Sequence, residues 1–168
     1  MSKKIIIAIL IIAIAGVAGF VVWNINKTDD SKGTEVADVK NVEGTLEEIM
    51  TKVYADIPEE NLPMALGNIE VDAESVESFL GTTDINYKDI LANESMVGSI
   101  AHSVVLVRLQ DAKDADSVVE KIKTSANPRK WICIEASNVI VKSKGDLVLL
   151  IMSNEDLAPK LEANFDNL

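Results

Sequence analysis

From Ile5 to Trp23 the chain reads IIIAILIIAIAGVAGFVVW, an apolar run without a single charge. At 1.5 Å per residue, a helix of that length crosses roughly the ~30 Å hydrocarbon core of a bilayer. The pattern predicts a transmembrane helix. A cleaved signal peptide is the rival, with Lys3 and Lys4 as its basic start, Ile5 to Ile12 as its apolar centre and Ala13-Ile14-Ala15 as its small-residue cleavage signature. Phe20, Val21, Val22 and Trp23 carry the run well beyond that site, and Trp23 falls where an interfacial aromatic belongs. An uncleaved anchor is expected.

From Asn24 to about Gly44 the pattern is lost: NINKTDDSKGTEVADVKNVEG is polar and has no period. It reads as a flexible tether with an end-to-end distance of roughly 25 Å by coil scaling. Thr45 then opens TLEE, a capping box, and Leu46, Ile49, Met50, Val53 and Ile57 recur at helical spacing up to Pro58. PEENLPMALGNIE reads as loop, with a short extended piece around Ile69 to Val71. Asp72 is expected to cap a short helix that turns Val76, Phe79 and Leu80 inward and stops at Gly81.

The clearest strand is Ser103 to Gln110, SVVLVRLQ, apolar on both faces at one end and therefore central. Ile85 to Ala92 is expected beside it as an edge strand. DAKDADSVVEKIKTSAN predicts an amphipathic helix with Ala115, Val118, Val119, Ile122 and Ala126 on one face and a capping box at Ser117 and Glu120. NVIVK and LVLLIM flank SKGD as a hairpin turning at Gly145, and a closing helix from Ser153 aligns Leu157, Leu161, Phe165 and Leu168. The expected fold is therefore α+β: a small, mainly antiparallel sheet packed on helices, preceded by one transmembrane helix. The domain plan is a cytoplasmic tail 1–4, the span 5–23, the tether 24–44 and an extracytoplasmic domain 45–168.

Charge changes the picture in two ways. The four-residue basic start places the amino terminus inside and the domain outside, although Lys27 and Lys32 match it in number beyond the span. Without Lys3 and Lys4, 14 basic residues face 27 acidic ones, a formal −13 that opposes nucleic acid and anionic lipid. A lone cysteine makes no intrachain disulfide, so the core alone must hold the fold.

Candidate chemistry is sparse. His102 and Cys133 form a base-and-thiol pair in principle, yet both sit in apolar stretches where structural roles are commoner. Asp111, Asp114 and Asp116 lack the spacing, turn glycine and distal glutamate of a calcium loop, and carboxylates before a helix serve as caps. Gly67, Gly81, Gly98 and Gly145 make no phosphate-binding pattern and fall at expected turns or helix ends. Arg129 and Lys130 read as a solvated start to the next segment. No catalytic, cofactor or metal residues are expected. In the span, Ala15 and Gly19 form a small-xxx-small pair that suits self-association or docking on another membrane protein.

The segment PRKWICI, Pro128 to Ile134, is too apolar after Lys130 to be left in water, and is expected to plug the core beneath the hairpin with Trp131 as its anchor.

NPRKWICIEASNVIVKSKGDLVLLIMS resembles the closing region of an uncharacterised family of small bacterial extracytoplasmic proteins. In that family a strand near SVVLVRL, a helix, and Lys-Gly followed by an apolar strand recur in this order. The resemblance covers roughly Thr45 to Leu168 and implies a lipoprotein-like or single-pass anchored domain. No cysteine follows the apolar run here, so a protein anchor takes the place of lipid. The family supplies no catalytic residues. The expected function is a non-catalytic binding or sensing module at the cell envelope; the alternatives are a structural accessory subunit acting through its membrane helix and, further off, a thiol enzyme using Cys133 and His102.

Overall fold

A computed structural model describes residues 40–168. The expected span, with Ala15 and Gly19, and residues 24–39 of the tether lie outside the described residues. Among the described residues, no helix is long and apolar enough to cross a membrane.

Helix α1 (Leu46–Val53) begins as its capping box dictates. Thr45 Oγ1 accepts the Glu48 N–H at 3.3 Å, and Glu48 Oε2 accepts the Thr45 N–H at 3.0 Å. Thr45→Ala leaves the Glu48 N–H to water and should cost about 1 kcal/mol in chemical unfolding, with the fold otherwise kept. The helix ends four residues earlier than Ile57 suggested, because Asp56 takes φ 58° and turns the chain away before Pro58. After a single 3-10 turn (Glu59–Asn61) come β1 (Leu66–Glu70) and α2 (Val76–Leu80), which Gly81 stops in the left-handed conformation at φ 75°. Asp72 caps the turn before α2, accepting the Ser75 N–H at 2.9 Å.

Strands β2 (Tyr87–Ser95) and β3 (Ser103–Leu109) follow, then α3 (Ala115–Ser125), β4 (Asn138–Lys144), β5 (Leu147–Ser153) and α4 (Ala158–Asp166). The five strands form one sheet in the order β1-β2-β3-β5-β4, every neighbour antiparallel. The α+β expectation and the central place of β3 hold. The strand expected at the edge, β2, is interior, because β1 pairs along its outer side from Leu66↔Ser95 to Glu70↔Leu91. Gly67 accordingly lies inside β1 rather than at a turn.

Both faces of the sheet are covered. Val105, Val107, Leu109, Val148, Leu150 and Met152 pack under α2 and α3, whereas Val104, Leu106, Leu147, Leu149 and Ile151 pack under α1 and α4. That double cover explains why β5 is buried at every position and reads as an apolar run rather than an alternation. Each fully buried Leu, Ile or Val of this kind contributes about 1.5–3 kcal/mol over leaving it exposed.

Two helix starts differ from expectation. Ser117 lies inside α3, whose approach is a 3-10 turn (Ala112–Asp114) capped by Asp111 through the Lys113 N–H. Ser153 still belongs to β5, and Asn154 Oδ1 accepts the Asp156 and Leu157 N–H groups before α4 begins at Ala158. The hairpin expectation holds: Gly145 takes φ 60° in a two-residue turn, with Asn41 so close that a Cβ there would lie 2.9 Å from its Cα.

Candidate interaction site

The segment between α3 and β4 has no regular secondary structure. Asn127 Oδ1 accepts the Arg129 N–H at 3.0 Å, so Asn127-Pro128 closes α3 with a local turn. The loop returns on itself, since the Ala136 N–H reaches the Pro128 carbonyl at 2.9 Å and Arg129 pairs with Glu135. Its neck is thus tied twice. Lys130 points inward, paired with Glu94 on β2, with its ammonium 4.8 Å from the Phe79 ring centre and 5.2 Å from that of Trp131. A cation over two aromatic faces is attracted by their quadrupoles, which adds to the ion pair. Lys130 is therefore a bound side chain and not the solvated one expected.

With Lys130 in the inner slot, the apolar residues behind it turn outward. Ile132 is 78% exposed, Ile134 41% exposed, and Cys133 exposed with φ 61°. Only Trp131 packs partly against the α2–α3 side of the core. The expected core plug is overturned. The positive φ at Cys133 breaks the strand alternation that would have sent half of these side chains inward. Arg129, Trp131, Cys133, Ile134 and Glu135 line an open hollow of about 400 Å³.

His102, by contrast, is fully buried at the same end of the sheet, on the other face. Its Nε2 lies 2.7 Å from the Tyr54 hydroxyl and its Nδ1 2.8 Å from Ser153 Oγ. Burial pushes its pKa down to about 4, and burial together with the nearby Glu94 charge pushes the Tyr54 hydroxyl far above its usual range. Both imidazole nitrogens are thus used in a neutral, structural network. The structure does not bring His102 and Cys133 together: Cys133 rides on the exposed loop, whose Trp131 packs on the opposite face.

The aspartates are likewise separate. Asp111 caps the 3-10 turn, Asp114 precedes α3 and Asp116 lies in its first turn. Among the described residues, no three metal-ligating side chains cluster. What the sequence hid was the inward lysine, because its partner Glu94 lies thirty-six positions away.

Comparison of the chain with protein-family models, with curated proteins and with solved structures found no match.

Proposed function

We propose that the chain is a membrane-tethered extracytoplasmic module that binds a protein partner without catalysis of its own, and that the Pro128–Glu135 loop is its contact surface. The observation that carries this reading is the exposure of Ile132 and Ile134 on a loop tied at its neck. Exposed large apolar side chains on a braced loop lose little conformational entropy when they are covered, which is what a binding surface needs. The formal charge of −11 disfavours anionic lipid as the thing covered. The run 5–23 supplies the single-pass cell-membrane anchor, and Lys3 and Lys4 keep the amino terminus inside.

Ala15 and Gly19 favour a second reading, an accessory subunit that acts through its membrane helix with the outer domain as a spacer. The two separate in one experiment. A photo-crosslinking amino acid at position 132 in intact cells should attach a defined protein, with at least tenfold lower yield when Ile134→Asp is added. A probe at 132 that attaches nothing, while one at Gly19 does, would shift the function to the span.

A further inference from the structure

The hydrogen-bond parity of the sheet fixes what β4 offers at its free side. Lys144 and Leu147 flank the two-residue turn and so exchange both of their main-chain bonds. Bonded pairs then recur at every second position, at Lys142↔Leu149, Ile140↔Ile151 and Asn138↔Ser153. The neighbouring ladder keeps the same parity, as the Leu109 N–H to the Asp146 carbonyl at 2.8 Å confirms. The N–H and C=O groups of Val139, Val141 and Ser143 therefore point away from β5. Among the described residues, none hydrogen-bonds to them.

Edges of this kind are normally guarded by lysines, bulges or brevity. Strand β4 has seven residues in unbroken register. Its two lysines are occupied elsewhere: Lys142 binds Asp166 at 2.6 Å and Glu162 at 3.1 Å, and Lys144 binds the Asp166 and Leu168 carbonyls at 2.7 and 2.6 Å. Val139 on the same strand is 39% exposed. The opposite edge, β1, is shorter at five residues.

We infer that β4 pairs with β4 of a second copy of this chain, antiparallel about a two-fold axis at Val141, joining two five-stranded sheets into one. The strand is self-complementary in that register. Val141 faces Val141, Val139 faces Ser143, Ile140 faces Lys142 and Asn138 faces Lys144, so no like charges stand opposite. The three residues with outward backbone groups are the ones that become bonded pairs. A closed two-fold contact also uses up the β4 edge of both copies, which stops further growth at that edge. This inference stands on the sheet alone and is independent of the loop's role.

The test is sedimentation velocity and amide hydrogen exchange on the full chain in detergent micelles over a range of concentrations. A dimer is expected whose Val139, Val141 and Ser143 amides slow by more than tenfold as it forms. Added salt should favour it, because each chain carries a formal −11. Val139→Pro removes only an outward N–H at an exposed edge position and should weaken dimerisation at least tenfold while leaving the far-UV circular dichroism unchanged. Gly19→Ile should not change these amides, which separates the edge from association by the span. Free exchange of the three amides at every concentration would overturn the inference. So would equal protection in the monomer, which would mean that another part of the same chain covers the edge. Should Val139→Pro fail to fold, the exchange result on the unaltered chain decides alone.

Discussion

Arg108→Met is expected to destabilise the domain by about 3–5 kcal/mol, the usual cost of removing one partner from a buried ion pair. Arg108 is the sole charged residue of β3, and it meets the Asp146 carboxylate at 3.1 Å with both side chains largely out of water. The same guanidinium donates to the Val42 carbonyl at 3.0 Å and to the Gly44 carbonyl at 2.8 Å. Methionine preserves much of the stem volume but leaves Asp146 charged, shielded and unpaired, and orphans two carbonyls. The double variant Arg108→Met/Asp146→Asn removes the stranded charge and should recover part of the loss. Urea unfolding of the three proteins in the same detergent at pH 7 measures both effects. A single-variant loss below about 1 kcal/mol, the surface level, would show that the pair is solvated.

Acidification is the second large effect. His102 is held neutral, with its folded pKa near 4 against about 6.5 for an unfolded histidine. A depressed pKa means that the unfolded chain binds the proton first. The stabilisation is fully present above pH 6.5, declines as pH falls, and is exhausted once pH has passed 4. The difference is worth about 3 kcal/mol by linkage. Because carboxylates titrate in the lower part of the same window, the measurement is the difference between two curves. Unfolding free energy of the unaltered chain should fall by about 3 kcal/mol more between pH 7 and pH 4 than that of His102→Gln. Parallel curves would mean that water reaches the imidazole. Tyr54 and Ser153 can accept from a doubly protonated ring, so the effect comes from burying charge and not from a lost hydrogen bond.

The elements most legible in the sequence are those set by local rules. Thr45 and Glu48 fixed the start of α1, Gly81 the end of α2 and Gly145 the hairpin, because capping and turn chemistry act over three or four residues. The apolar run of β5 announced a strand covered on both sides. Long-range choices were not legible. Nothing in LGNIE says that β1 would take the outer side of β2, since strand partners are chosen by packing across the whole sheet. The loop at Pro128–Glu135 misled for the same reason. Hydropathy alone sends Trp131, Ile132, Cys133 and Ile134 inward, whereas the pairing of Lys130 with the distant Glu94 and the positive φ at Cys133 accompany an outward turn of the last three. The burial of His102 at the head of an apolar stretch was legible, although its partners Tyr54 and Ser153 could not be read from spacing.

The grip of Arg108 on Val42 and Gly44 also sets how the domain bears a mechanical load. A pull applied at Lys40 meets those two hydrogen bonds first, then the packing of α1 beneath Leu46, Ile49 and Val53. Neither belongs to the strand ladder. A load entering at that end is therefore met by side-chain contacts and helix packing before it reaches any strand pairing.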